Sequence, residues 1–211
     1  MNDRERIEWL INYFQEHRYS IDEFTFIGIR DSKDQEKDVI NDYLGYLMLG
    51  EIFLTKGTTE PGVYWVKDKA ERNKQGTFHL LEGFHNKIWC FGTHKGYEAL
   101  TNTYPYCKPT KGWRDANYNF TKDNKDIVVC DYFGINFHRM HPIQIVDKIG
   151  KYSAGCQVVQ NPKDFEYIKA KAKNTLMYKN NPNKTVYNYM LFKIEELPPN
   201  FILNAKENPL L

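Results

Sequence analysis

Hydrophobic and polar residues follow a helical period only near the two ends of this chain. Between residues 3 and 17 an apolar residue recurs every three or four positions, which predicts one amphipathic helix. These apolar residues are Ile7, Leu10, Ile11 and Phe14. Asn2 or Asp3 precedes them and can cap the helix, because a side-chain oxygen there accepts a hydrogen bond from a free backbone N–H group of the first turn.

Shorter apolar runs fill the chain between the two helical segments and predict strands. Residues 24–29 are apolar on both faces and predict a central strand. Further strands are predicted at 43–55 (one long strand or a hairpin broken near Gly50), 63–66, 77–81, 87–91, 127–130, 133–138, 155–160 and 186–194. Charged residues 31–42 predict a surface loop, and residues 57–62 predict a turn. The polar stretch 101–126 predicts a long loop, which in compact domains is commonly a lid or a substrate-binding loop.

A second helix is predicted from residue 161 onward. Asn161 can cap it, Pro162 suits its first turn, and Asp164 adds an acid there. Strands dominate the whole pattern and do not alternate regularly with helices. We therefore expect a mainly β (α+β) fold and not a doubly wound parallel sheet.

A chain of 211 residues is long enough for one elaborated domain. That domain is expected over residues 21–197, with the N-terminal helix (1–20) packed on it and a loosely held C-terminal extension (198–211). Aromatic residues make up 15% of the chain, which suits a sheet-rich fold or a groove that holds an extended polymer.

Charge and hydropathy argue against several classes of partner. A formal net charge of +2 is too small for a dedicated nucleic-acid binder, so no nucleic acid is expected. No segment approaches the ~20 apolar residues of a membrane-spanning helix, so no membrane insertion is expected. The charged start lacks the apolar core of a signal peptide, and we expect synthesis in the cytoplasm. No nucleotide-binding glycine motif is present, and we expect no cofactor. The four cysteines show no CxxC pairing and are expected to be reduced.

The most informative residues are Cys156 and His138, which each lie where an apolar run meets a turn. Ser153 and Gly155 precede the cysteine, and small residues there let the backbone approach closely and expose the next side chain. Backbone N–H groups of such a turn are candidates for an oxyanion hole. A neighbouring histidine activates a thiol near neutral pH, so the pair predicts a dyad for acyl transfer on a peptide. The alternative is that both are core residues, since cysteine is among the most buried residue types.

Four further residues are candidates around this dyad. Asn136 or a backbone carbonyl can orient the second ring nitrogen of His138. Arg139 can bind a substrate carboxylate through its planar guanidinium, or it can form a surface ion pair. In a predicted exposed turn, Lys95 can hold a carboxylate and Tyr97 can line a groove, unless that turn is a solvated hairpin tip.

A zinc hydrolase is the alternative chemistry. His138 and His141 are spaced H-x-x-H, and His85, His94 and Cys156 could complete a tetrahedral site. The motif is a weak signal, because a proline follows it and neither a glutamate base nor a second ligand pair accompanies it. We therefore expect no metal in this site.

Two segments of the chain resemble the catalytic stretch of the L,D-transpeptidase family. They are Phe133-Gly134-Ile135-Asn136-Phe137-His138-Arg139 and Asp147-Lys148-Ile149-Gly150-Lys151-Tyr152-Ser153-Ala154-Gly155-Cys156-Gln157-Val158. They are more similar still to phage and prophage proteins related to that fold, as are residues 58–65, 94–100 and 113–115. The resemblance extends from about Phe24 to Phe192.

The resemblance implies a β-sandwich or barrel, with a helix after the catalytic cysteine and an N-terminal helix outside the shared region. It implies that Cys156 is the nucleophile and His138 the base, while Gly155 and Ser153 shape the cysteine turn and the oxyanion site. The implied substrate is a peptidoglycan stem peptide. The implied acyl-enzyme is resolved by water, as in a carboxypeptidase or endopeptidase, or by an amine, as in a transpeptidase.

Three positions depart from the family's pattern. Ala154 stands where a histidine is common, Val158 where an arginine is common, and Arg139 where a glycine usually follows the base. Without the arginine after the cysteine, binding of a substrate carboxylate would fall to Arg139 or Lys95.

The expected function is a phage or prophage cell-wall hydrolase that reaches the wall through a lysis system or as part of a virion. The alternative is a catalytically silent wall-binding or virion protein on the same fold.

Overall fold

The computed structural model describes residues 1–70 and 73–202. Within these ranges the strands are β1 (Phe24–Arg30), β2 (Asp42–Met48), β3 (Glu51–Thr58), β4 (Thr77–Leu80), β5 (Gly83–His94), β6 (Tyr97–Thr101), β7 (Thr110–Asp115), β8 (Ile127–Asp131), β9 (Asn136–Arg139), β10 (Gln157–Val159) and β11 (Tyr187–Lys193). The α-helices are α1 (Asp3–Glu16), α2 (Val63–Lys67), α3 (Pro162–Lys173) and α4 (Leu176–Asn180), with single 3-10 turns at Gln35–Lys37 and Ile194–Glu196.

Eight of these strands close into a barrel, and the other three form a small separate sheet. The order around the barrel is β1-β11-β5-β6-β9-β10-β3-β2, and the order in the small sheet is β4-β7-β8. The pairs β1/β11 and β9/β10 are parallel, whereas the other neighbours are antiparallel. The mainly β fold predicted from the sequence is confirmed. The parallel β9/β10 pair is the part of the barrel that positions the site.

Helix α1 covers one face of the barrel wall. Asn2 and Glu5 form a capping box, which satisfies two N–H groups that would otherwise lack partners at the helix start. Leu10 and Phe14 are fully buried in a cluster with Ile27 of β1. The N-terminal helix predicted from the apolar spacing is therefore confirmed, and the spacing marks its buried face.

The opposite face of the same wall carries the larger core. Successive residues of β1 point to opposite faces, so Phe24 and Phe26 belong to this second cluster. Helix α3 adds Phe165 and Ile168 to it. Asn161 caps α3 by accepting from Lys163 N, as its sequence predicts. The helix that follows the cysteine is thus fixed against the barrel.

Two predicted elements are wrong. The strand predicted at 63–66 is the single-turn helix α2, because four apolar residues fit one helical turn as well as a short strand. The loop predicted over 101–126 contains β7, which pairs with β4 and β8. Trp113 on β7 stacks on His79 with ring centroids 4.0 Å apart. The polar composition of β7 gives no local strand signal, and its pairing partners lie in other segments of the chain.

Two segments predicted to be at the surface carry buried acids instead. Asp42, which ends the predicted loop, begins β2 and is 1% exposed. Glu60, in the predicted turn, is 4% exposed. A buried carboxylate is stable only when it is paired or hydrogen-bonded, so these residues indicate an internal polar network.

The segment after Pro198 packs against helix α1 as far as the description extends. Phe201 is 1% exposed, its ring centroid lies 5.5 Å from that of Trp9, and its carbonyl accepts from Arg6 Nε at 2.6 Å. Phe201, in the segment predicted to be a loose extension, is therefore packed against α1, and residues 203–211 of that segment lie outside the described residues. Every helix in the described ranges is too short or too polar to span a bilayer.

Candidate active site

The parallel pairing of β9 with β10 brings the two predicted dyad residues to one face of the barrel. The register places His138 beside Val158 and Phe137 beside Gln157, which sets Asn136 beside Cys156. Side chains alternate along a strand, so His138 lies two positions beyond Asn136 on the same face as the cysteine. Two residues that are eighteen positions apart in the sequence are thus brought to the same face.

The imidazole of His138 is held in the form that a general base needs. Its Nδ1 lies 2.7 Å from the backbone carbonyl of Arg139, and a carbonyl only accepts, so Nδ1 carries the proton. Its Nε2 is buried and has no hydrogen-bond partner among the described residues, Cys156 included. The carbonyl therefore orients the ring, as one of the two sequence-based alternatives proposed, and the lone pair of Nε2 is uncommitted.

The surroundings of His138 keep it neutral. Burial lowers the pKa of His138 to about 3, and the nearby His94 and Lys95 act in the same direction. The ring of His94 stacks on that of His138, with centroids 4.4 Å apart. At neutral pH the ring is therefore unprotonated at Nε2, and it takes up a proton less readily than an ordinary histidine.

Cys156 is partly exposed and faces the amide of Asn136. The side-chain nitrogen Nδ2 lies 3.9 Å from Sγ, and both this group and the backbone N–H of Asn136 act to lower the pKa of the thiol. Burial outweighs them, so the pKa of Cys156 is raised above its ordinary value. The resting pair is consequently a neutral thiol beside a neutral imidazole, and not a thiolate–imidazolium pair.

The turn before Cys156 is shaped by Ser153 and Gly155. Ser153 is fully buried; its Oγ donates to the Cys156 carbonyl at 2.8 Å and accepts from the Gly155 N–H at 3.2 Å. Gly155 has φ +117°, and a Cβ there would lie 2.5 Å from the Phe78 carbonyl oxygen. Only glycine fits this position. Because Ser153 already accepts from the Gly155 N–H, that group is occupied and is not a free oxyanion donor.

A buried charged network supports the other side of the turn. Arg30 Nε lies 2.5 Å from Glu60 Oε1, and the second oxygen of Glu60 lies 2.5 Å from His79 Nδ1. Arg30 Nη2 also donates to the Thr59 carbonyl at 3.0 Å, and Gln157 Nε2 donates to that same carbonyl at 3.4 Å. Gln157, the residue directly after Cys156, therefore shares a hydrogen-bond acceptor with the ion-paired Arg30.

The predicted substrate-binding residues lie near His138, but not all of them are free. Arg139 forms an ion pair with Glu166 at 3.1 Å and stacks on the Tyr97 ring at 4.2 Å, which is the ion-pair alternative for this residue. The Tyr97 hydroxyl lies 3.2 Å from His138 Nδ1 and donates to the Arg139 carbonyl at 3.3 Å. Lys95 is exposed at the tip of the β5–β6 hairpin and remains a free cation among the described residues.

The residues considered for zinc do not converge. His141 Nδ1 accepts from the backbone N–H groups of Ile143 and Gln144, and His85 Nε2 lies 2.7 Å from the Leu81 carbonyl. Over residues 1–70 and 73–202, no group of three His, Cys, Asp or Glu side chains is arranged to hold a metal ion.

Sequence reasoning missed several residues that build the site. The Arg30–Glu60–His79 network was not predicted, because its members lie in three separate segments and ion pairing between them leaves no periodic signal. His94 was considered only as a metal ligand, and Glu166 was not considered as the partner of Arg139. Burial along β5 does not alternate regularly, so no local pattern indicates that His94 faces the site.

Comparison with protein-family models, with curated proteins and with solved structures found no match to this chain.

Proposed function

We propose that this protein is a cysteine-dependent peptidoglycan peptidase that acts on stem peptides through an acyl-enzyme, encoded by a phage or prophage. The observation that carries this proposal is the parallel β9/β10 pairing, which brings His138 to the face that carries Cys156 with its Nδ1 committed to the Arg139 carbonyl. In this proposal Nε2 is the atom that accepts the thiol proton, because Nδ1 already carries one. Cys156 lies on the same face, one strand away.

The chemistry follows from the neutral pair. As the sulfur attacks the peptide carbonyl, the thiol proton passes to Nε2 of His138, because a thiol with a raised pKa does not ionise beforehand. The tetrahedral intermediate then collapses, and the C–N bond breaks as Nε2 returns the proton to the leaving amine. Water, deprotonated by the same nitrogen, hydrolyses the thioester and restores the thiol.

Asn136 is the donor best placed to stabilise the oxyanion. Its amide nitrogen lies 3.9 Å from Sγ, within reach of an oxygen on a carbon bonded to that sulfur. The N–H of Gly155, the first candidate from the sequence, is occupied by Ser153. We assign the carboxypeptidase or endopeptidase reaction, with water as the acceptor; an amine in place of water would make the same site a transpeptidase.

Intact-protein mass spectrometry tests this mechanism. Incubation with synthetic stem tetrapeptides and pentapeptides should add the mass of the acyl fragment transiently, and peptide mapping should place it on Cys156. The Cys156→Ala protein should show no adduct, whereas Cys130→Ala, which removes an exposed thiol on β8, should react normally. An adduct that persists in Cys156→Ala would contradict the mechanism.

A second candidate function is a catalytically silent wall-binding or virion protein on this fold. The raised pKa of Cys156 and the lack of a His138–Cys156 hydrogen bond favour it, since both are expected of a pair that no longer reacts. It predicts that the protein pellets with purified sacculi and leaves their muropeptides unchanged.

A further inference from the structure

A cavity of about 280 Å³ lies beside the cysteine turn. Ala154 comes from the turn itself, and Ile135 directly precedes Asn136. The remaining lining residues are Trp65, Asn73, Thr77, Phe78, Arg114 and Phe133. A cavity of this size is below the range for drug-sized ligands and suits about one amino-acid residue of an extended peptide.

Arg114 is the only cation among these lining residues, and no acid of residues 1–70 or 73–202 pairs with it. Its Nη1 donates to the Gly76 carbonyl at 3.2 Å, and within the described part of the chain it forms no ion pair. Its guanidinium lies over the rings of Phe78 and Phe133, at 5.6 and 5.3 Å from their centroids. Burial lowers the pKa of Arg114, as expected for a cation that lacks a counter-charge. The aromatic pair therefore fixes a guanidinium whose other N–H groups have no partner in the described residues.

A second donor lies in the same lining. The indole N–H of Trp65 is buried and has no acceptor among the described residues. A planar anion with two oxygens suits this environment, because a carboxylate can pair with the guanidinium fork and still accept from a neighbouring donor.

The two cations expected from the sequence to bind a carboxylate are less suitable than Arg114. Arg139 is already paired with Glu166, and Lys95 is exposed at a hairpin tip where a lone charge is well screened. Arg114 is half-buried and fixed by two rings, and for that reason its pairing with an anion is worth more.

We propose that the Arg114 cavity is a subsite that binds the C-terminal carboxylate of the substrate peptide, beside the turn that carries Cys156. This rests on the proposed peptide substrate, but the binding it predicts does not require the cysteine to react. Arg114 acts here as a specificity-determining residue.

Binding to the Cys156→Ala protein tests the subsite without turnover. The probes are an acetylated tripeptide with a free C-terminal D-alanine carboxylate and the same tripeptide as its C-terminal amide. Binding of each is measured by Trp fluorescence and calorimetry. We expect the acid to bind about 10-fold or more tightly than the amide, in line with a charge-assisted hydrogen-bonded pair. Arg114→Gln should abolish this preference, and Arg114→Lys should restore only part of it because lysine lacks the planar fork.

Lys111→Gln is the matched control, since it removes an exposed positive charge from the same strand. It should leave the preference for the acid unchanged. Equal affinity of the Cys156→Ala protein for the acid and the amide would overturn the subsite. Failure of the acid to bind at millimolar concentration would overturn it too. Neither result depends on whether Arg114→Gln folds. If the wild-type protein shows no wall activity while Cys156→Ala retains the acid preference, the peptidase is overturned and the subsite is not.

Discussion

The side-chain amide nitrogen of Asn136 lies 3.9 Å from the Sγ of Cys156. The same amide donates to the Gly134 carbonyl at 2.9 Å, which fixes its orientation toward the sulfur. Asn136 begins β9 and Cys156 immediately precedes β10, so this contact results directly from the parallel register of the two strands.

Asn136→Ala is expected to lower the rate of acyl-enzyme formation. It removes the donor nearest the developing oxyanion, and loss of one such donor costs about 100-fold to 1,000-fold in kcat in known hydrolases. Because Asn136 is partly exposed, the melting temperature should change little. Rapid-quench mass spectrometry on stem peptides gives the rate. An unchanged rate would remove Asn136 from the oxyanion site.

The reactivity of Cys156 should increase with pH without a plateau near neutrality. Burial raises the pKa of this thiol, so the thiolate fraction grows through and beyond the range in which an ordinary cysteine ionises. The measurement is the iodoacetamide alkylation rate between pH 6 and 10, in a Cys130→Ala background that removes the exposed thiol. Glutathione provides the reference. A plateau below pH 7 would show a preformed thiolate–imidazolium pair instead.

His138 should make the fold sensitive to acid. Its pKa is lowered to about 3 by burial, so between pH 6.5 and 3 the unfolded state binds a proton there that the folded state does not. Folded-state stability is therefore lost as pH falls through this window. Between pH 7 and pH 5 the loss from this group is on the order of 2 kcal/mol.

His138→Gln should remove this contribution, which urea unfolding at pH 7 and pH 5 can measure. His85, whose pKa burial lowers to about 4, and Asp42, whose pKa burial and Glu60 raise to about 6, titrate in both proteins, with effects of opposite sign. The difference between the two pH slopes isolates His138. Equal slopes would mean that the imidazole is not buried as described.

Gly155→Ala should destabilise the protein more than Gly83→Ala. The two glycines have nearly equal φ angles, +117° and +116°, so the backbone strain of an L-residue is shared. A Cβ at Gly155 would lie 2.5 Å from the Phe78 carbonyl oxygen, whereas at Gly83 it would meet nothing within 4 Å. We expect the free energies of unfolding to differ by at least about 1 kcal/mol. Wall activity should be lost only in Gly155→Ala; equal effects would contradict the close approach of Phe78.

Local patterns were enough to predict the helices and most strands, because periodicity and capping are properties of neighbouring residues. The apolar spacing around Leu10 and the Asn161-Pro162 start both correspond to observed helices. The strand predicted at 63–66 is instead helix α2, because a single helical turn is too short for the helical period of apolar residues to show. Strand β7 was missed because its evidence lies in β4 and β8.

The candidate dyad could be proposed from sequence, but its electrostatics could not. The states of Cys156 and His138 depend on burial and on groups that reach them through strand pairing, such as Asn136 and His94. The ion pair between Arg139 and Glu166 likewise joins β9 to α3. Such contacts between distant segments are set by topology and leave no local pattern.

Muropeptide mass spectrometry of purified sacculi should decide whether Cys156 cuts wall peptides. Sacculi with several stem-peptide compositions are incubated with wild type, Cys156→Ala and Cys130→Ala. We expect shortened or uncrosslinked stems with wild type and Cys130→Ala, and intact stems with Cys156→Ala. Product formation by Cys156→Ala, or none by any of the three proteins on every wall tested, would contradict the cysteine peptidase.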